Sequence, residues 1–167
     1  MILPIKKVTN SKDEKILRSK AAELKFPLSP IHKKLIQDMF ETVVAASGIG
    51  LAAPQVGVSV RLLVVNLEHL GLPMFALINP VITKFSKNKT ELEEGCLSIP
   101  GVYGFVDRPE KINFEAYFPN GQKVQATADG LLSKVLQHEV DHLNGILITD
   151  IIKRYTDTKT ASKRTLG

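Results

Sequence analysis

The chain reads as an α+β domain, with mostly antiparallel strands packed around a central C-terminal helix and a further helix on the N-terminal side. Three features of the sequence predict this. Ile31, Leu35, Met39, Val43 and Ala46 recur at helical spacing behind Ser29-Pro30, an N-cap followed by proline at the first helical position, so 30–46 is an amphipathic helix ending before Gly48. Between 58 and 127 the pattern changes to short apolar segments rich in β-branched and aromatic residues: 61–66, 75–79, 101–106, 112–118 and 122–126. Gly, Pro or Asn separates them, and Pro119-Asn120-Gly121 is a hairpin turn. Finally, Asp129-Gly130-Leu131 opens a last helix of about four turns, closed by Asn144-Gly145. Ser11-Lys-Asp-Glu14 has the form of a capping box and predicts one more helix over 12–23.

At 167 residues the chain suits one domain, 1–167, with basic ends at 1–28 and 151–167. It is 44% apolar and 23% charged, which excludes a disordered or collagen-like chain. No apolar run approaches the roughly 18–20 residues that span a bilayer. The start lacks the pattern of a secretory signal, and a single cysteine excludes an intrachain disulfide framework. A cytoplasmic protein with no membrane contact is expected. The net charge of +5 is concentrated at the ends, where residues 1–38 carry nine Lys/Arg against four Asp/Glu. Basic ends can dock on a ribonucleoprotein such as the ribosome, although solvated lysines that keep a small protein soluble are the commoner explanation. No aromatic stacking platform accompanies them, and direct DNA binding is not expected.

The chemistry is carried by His138-Glu139-Val140-Asp141-His142. Positions i and i+4 share one helix face, so both imidazoles reach one metal ion, and Glu139 is placed to take a proton from activated water. Two histidines do not complete a site, which usually has three protein ligands and one open position. A metzincin requires a further histidine where Ile148 stands, and a thermolysin-like site requires a later Glu, yet residues 143–167 contain neither His nor Glu. The remaining candidate is upstream, Cys96, whose thiolate suits Zn²⁺ or Fe²⁺. It stands beside Gly95, where backbone can approach a ligand closely.

Three segments together resemble the peptide deformylase family: Gly48-Ile-Gly-Leu-Ala-Ala-Pro-Gln55, Glu94-Gly-Cys-Leu-Ser98 and Gln137-His-Glu-Val-Asp-His142. The likeness extends over residues 28–150. It implies removal of the N-formyl group from nascent polypeptides beginning with formyl-methionine, releasing formate. It also implies a single divalent ion, Fe²⁺ in the cell, held by Cys96, His138 and His142. The ligand set itself does not separate Fe²⁺ from Zn²⁺, Ni²⁺ or Co²⁺. Residue chemistry supports the same reaction. The oxyanion formed on attack needs fixed donors, and Gln55 can supply an amide N–H and Leu97 a backbone N–H, roles that the resemblance also implies.

The pocket for a methionine side chain should be apolar, which makes Ile49, Leu131 and the stem of Lys134 candidate lining residues, with Gly50 and Gly95 letting substrate backbone approach. Glu94 and Arg108 are candidates for an ion pair that orients a metal ligand. Gly48-x-Gly50-x-x-Ala53 also fits a loose dinucleotide-binding fingerprint, but a helix precedes it and Pro54 follows, which is the wrong context. Two other function classes share the ligand pattern, a metallo-amidase or peptidase of different specificity and a non-catalytic metal-binding module. The module has no need of Glu139.

Overall fold

A computed structural model describes residues 1–157. The basic tail expected at 151–167 therefore lies, from residue 158 onward, outside the described residues. Three helices, α1 (Ser11–Leu17), α2 (Pro30–Ala45) and α3 (Gly130–Leu143), accompany eight strands. One sheet is ordered β1 (Gly50–Ala52), β2 (Leu62–Val65), β3 (Phe75–Phe85), β6 (Lys111–Tyr117), β7 (Lys123–Asp129). The other is β4 (Lys89–Cys96), β5 (Ile99–Pro109), β8 (Arg154–Tyr155). Every strand pair is antiparallel. Among the described residues no helix is long and apolar enough to cross a membrane.

The alternation of side chains along β2 explains the layers. Leu63 and Val65 join a core with Val135, Leu136, Val140 and Leu143 of α3, while Leu62 and Val64 join a second core with Leu35, Ile36, Met39 and Val43 of α2. Strand β2 is thus covered on both faces, which is why Leu62-Leu-Val-Val65 is apolar throughout. A smaller cluster of Leu17, Cys96, Ile99, Leu147 and Ile148 closes the β4–β5 hairpin against α1.

Helices α2 and α3 occupy their expected places. In α2, Ser29 caps the first turn, but Ile31 is 78% exposed, so the buried stripe runs instead through Leu35, Ile36, Met39 and Val43. The helix expected over 12–23 stops at Leu17, with Asn10 rather than Ser11 as its N-cap. Tertiary pairing ends it early. The Ala21 N–H donates to the Leu143 carbonyl, and Ala22 exchanges backbone hydrogen bonds with Ser59 and Arg61. Strand β4, absent from the sequence reading, carries Lys89, Glu91, Glu93 and Glu94 in a hairpin with β5, and its polarity concealed it.

Two backbone features shape the surroundings of α3. The β4–β5 register breaks after Gly95↔Tyr103, and Cys96 pairs with Ile99, so Pro100–Val102 loop out of the ladder. Such bulges re-aim side chains. Helix α3 is closed by Gly145 at φ +74°, and a Cβ there would lie 2.3 Å from the Arg18 carbonyl oxygen. Gly145→Ala is expected to lower stability by more than Gly101→Ala. Both residues have positive φ, which costs an L-residue about 1–2 kcal/mol, but nothing lies within 4 Å of a Cβ at Gly101. Urea unfolding of the two variants checks the ranking.

Candidate active site

Helix α3 runs through the middle of the protein, and its inner face is polar. His138, Glu139 and His142 are each at most 1% exposed, and Cys96 is 2% exposed. The helical repeat sets the two imidazoles edge to face with ring centroids 4.9 Å apart, and the bulge at the end of β4 brings Cys96 Sγ to 3.2 Å from His142 Nε2. One ligand atom from each of Cys96, His138 and His142 lies within 4.8 Å of the others. Atoms sharing a tetrahedral ion at about 2.0–2.3 Å stand about 3.3–3.8 Å apart, so this spacing needs only a small contraction.

The donor chemistry fits a cation as well. The Glu94 carboxylate lies 3.0 Å from His138 Nδ1, which assigns the imidazole proton to that nitrogen and leaves Nε2 buried without a partner. Burial, helped by the neighbouring His138, holds His142 well below its usual value, so it is a neutral imidazole with a lone pair to give. Burial pushes the Cys96 thiol up to about 12 against hydrogen bonds from Ser98 and Ile99, so a cation is what would make it a thiolate. Glu139 is fully buried with both carboxylate oxygens unpartnered, and burial raises it well above the usual carboxylate range. An unsatisfied buried carboxylate costs stability and belongs to function rather than folding.

Arg108 anchors this polar interior. Its guanidinium donates to both Glu94 oxygens, at 2.5 and 2.9 Å, and to Asp141 Oδ2 at 2.8 Å. Burial raises Glu94, but hydrogen bonds with His138 and Arg108 outweigh it and hold the carboxyl at about 2. The expected Glu94–Arg108 pair therefore forms, and Asp141, to which the sequence assigned no step, is its third member. Gln137 serves α3 itself, donating to Ser133 Oγ and the Pro109 carbonyl.

The other predicted residues take different places. Gln55, completely buried, accepts from the Ala52 N–H at 2.8 Å and turns its Nε2 toward Cys96 Sγ, 3.7 Å away. Leu97 follows Cys96 and lines a cavity of about 560 Å³ with Leu3, Ile5, Ala45 and Ala46. Ile49 and Leu131 both pack on the core that contains Val135. Gly50 has a specific steric reason, since a Cβ there would lie 2.4 Å from Glu139 Oε1, so the room it leaves is filled by the carboxylate. Gly95 precedes the register break. Lys134 is turned to β4, where its ammonium donates to the Thr90 carbonyl at 2.8 Å. The sequence reading missed Ser98, which is buried against Gln55, although it stands inside the motif that contains Cys96.

The polypeptide deformylase family matches residues 5–158. The chain belongs to the peptide deformylase family. This match starts well before the 28–150 read from the motifs. The chain is 40% identical to the peptide deformylase of Roseiflexus sp. (strain RS-1), covering 95% of this chain and 93% of that one. It is 44% identical to that of Psychrobacter cryohalolentis over 78% of this chain and 71% of the relative. Among solved structures, the peptide deformylase from Thermotoga maritima superposes with a TM-score of 0.83 at 34% identity, covering 92% of this chain and 99% of that one. As a deformylase, the protein is a metal-dependent hydrolase that removes the N-formyl group from newly made polypeptides.

Two outcomes are expected of the polar interior. Arg108→Met leaves the Glu94 carboxylate buried without its cation and should cost about 3–5 kcal/mol in urea unfolding of the metal-free protein. Glu94 is depressed from 4.5 to about 2, so its contribution is full above pH 4.5 and is lost as pH falls through 2. The stability gap between wild type and Glu94→Gln should therefore narrow over that window, by up to about 3 kcal/mol.

Proposed function

We propose that Cys96, His138 and His142 hold one divalent ion, Fe²⁺ in the cell, and that Glu139, Gln55 and Leu97 carry the deformylation of formyl-methionyl peptides. The observation that supports this most is the buried Glu139 carboxylate, which has no partner and lies beside three convergent ligand atoms. When bound, such an ion activates water for attack and polarises a carbonyl. Glu139 accepts the proton that the water gives up, a task suited to a carboxylate raised by burial. It then returns that proton to the departing amine nitrogen. Negative charge growing on the formyl oxygen would be met by the Gln55 Nε2 amide and the Leu97 backbone N–H.

The substrate's methionine side chain would pack among Ile49, Leu131 and the Lys134 stem, with its backbone passing Gly50 and Gly95. Burial lowers the Lys134 ammonium below the usual value. The preference for Fe²⁺ over Zn²⁺, Ni²⁺ or Co²⁺ rests on the family likeness. We read the chain as one catalytic domain of the cytoplasm, whose basic ends at 1–28 and 151–167 could contact the ribosome.

Formate release from a formyl-Met peptide, with metal content measured on anaerobically prepared protein, tests the reading; release that does not depend on metal would sink it. Glu139→Gln should lower kcat by at least about a hundredfold with the metal retained. Cys96→Ala should lose the metal, and full occupancy would remove Cys96 from the ligand set. Air should inactivate the Fe²⁺ form while a Ni²⁺ form survives, and equal survival would count against iron. Activity on acetylated or internal peptide bonds at a rate equal to that on formylated peptides would favour a broader amidase.

A further inference from the structure

Helix α3 has a second side that the proposed mechanism does not use. Gln137, Val140, Asp141 and Asn144 follow one another at i, i+3, i+4 and i+7, a stripe turned away from the one that carries His138 and His142. That stripe lines a cleft of about 560 Å³, within the usual size of a small-molecule site. Another wall comes from β3, whose register against β6 shifts on either side of Val81-Ile82, so that these neighbours both line the cleft. Val81 is 49% exposed and Phe85 54%, which leaves apolar surface open to a ligand.

Arg61 spans the two walls and is only 6% exposed. Its Nη1 donates to the Leu143 carbonyl at 3.3 Å and to Asn144 Oδ1 at 3.0 Å, and its Nη2 to the Pro80 carbonyl at 2.9 Å. These bonds tie the end of α3 to β3, but they do not answer the charge. All three acceptors are neutral, and among the described residues Nε and the second Nη2 hydrogen have no partner. Nε is not sealed from solvent, and Arg61 lines the cleft. Arg108 shows what this pair of donors does with a carboxylate, since its own Nε and Nη2 grip the two oxygens of Glu94.

The charges around the cleft favour an anion. Arg108 and Asp141 line it as a pair already satisfied by one another. What remains is Lys20 and Arg61 against Glu23, one positive charge in excess. Glu23 is exposed and makes no hydrogen bond to Arg61, so the buried guanidinium faces the cleft without a counter-anion. A buried charge with neutral partners alone is costly, and a ligand that brings the opposite charge relieves it.

We propose that this cleft binds a small aliphatic carboxylate, its oxygens on the free Arg61 donors and its hydrocarbon against Val81, Ile82 and Phe85. A single excess charge suits a monoanion rather than a phosphate dianion, and the apolar wall calls for a hydrocarbon chain. The site stands on a different face of α3 from the ligand histidines and does not depend on the proposed chemistry.

The test titrates hexanoate into the full chain loaded with Zn²⁺ and follows the backbone amide chemical shifts. Hexanoate should bind with a Kd of about 1 mM, in keeping with its size, and shift residues 20–23, 81–85 and 140–144. Hexanol and inorganic phosphate should each bind at least about tenfold more weakly, because one lacks the charge and the other the hydrocarbon. Arg61→Lys keeps the charge but loses the fork, and should weaken hexanoate by about tenfold or more. Lys20→Glu and Val81→Glu, both at exposed positions, should weaken it as well while urea unfolding stays as in wild type, which keeps the test decisive if Arg61→Lys does not fold. Glu23→Gln should tighten binding, an effect that loss of structure does not imitate. The proposal is overturned by the absence of saturable shifts, by shifts centred on Cys96 and Leu97 (a carboxylate on the metal), or by hexanol or phosphate binding as tightly as hexanoate. Wild-type affinity in Lys20→Glu and Val81→Glu, or unchanged affinity in Glu23→Gln, would overturn it too.

Discussion

A helix that carries polar side chains through the centre of an apolar protein must have each of them compensated, and the rest of this structure depends on how that is done for α3. Ser133, Lys134, Gln137, His138, Glu139 and His142 are all buried on it. Taking such groups out of water costs several kcal/mol apiece unless hydrogen bonds replace the lost solvent. The neighbouring strands supply them. The Pro109 carbonyl receives Gln137, the Thr90 carbonyl receives Lys134, and Glu94 engages His138 while Arg108 secures Glu94 and Asp141. Among the described residues, what α3 leaves without hydrogen-bond partners is the Glu139 carboxylate, His138 Nε2 and His142 Nδ1. Of these atoms, His138 Nε2 and the Glu139 carboxylate belong to the proposed metal and catalytic site.

The Arg108 cluster links this compensation to geometry. Because Arg108 grips both oxygens of Glu94, that carboxylate cannot rotate away from His138, and the imidazole is held with one nitrogen presented inward. Support of this kind raises the basicity of a ligand and fixes its direction. On the other side, the register break after Gly95 turns Cys96 toward the histidines, while the Gln55 amide approaches its sulfur and donates to Ser98. Gly50 completes the enclosure by omission, since any side chain there would strike Glu139. A deformylase needs a rigid ligand set and a base free to accept and return a proton. On the proposed roles, the packing would serve the first by saturating the outer hydrogen bonds of the candidate ligands and the second by leaving the Glu139 carboxylate unsaturated.

How much was legible depended on how local the cause was. The i and i+4 spacing of His138 and His142, the N-cap at Ser29-Pro30 and the turn at Pro119-Asn120-Gly121 are short-range features, and each forms as the residues predicted. Cys96 became visible once the downstream protease ligands were found missing, and the three motifs carried the family. The failures have the opposite character. Helix α1 ends at Leu17 because the backbone at 21–22 pairs with Leu143, Ser59 and Arg61, far away in sequence. Strand β4 is rich in Glu and Lys and has no apolar signature, yet its pairing with β5 fixes where Cys96 goes.

The residue pattern alone therefore determined the α+β class, the metal-ligand pair on the last helix and the family, because periodicity and motif order are written along the chain. Only the folded structure decided that Asp141 shares Arg108 with Glu94, that Gly50 yields its space to Glu139, and that the Gln55 amide reaches Ser98. Those contacts join residues dozens of positions apart. They exist because packing α3 against two sheets brings their side chains within reach, a consequence of three-dimensional closure that has no periodic trace in the sequence.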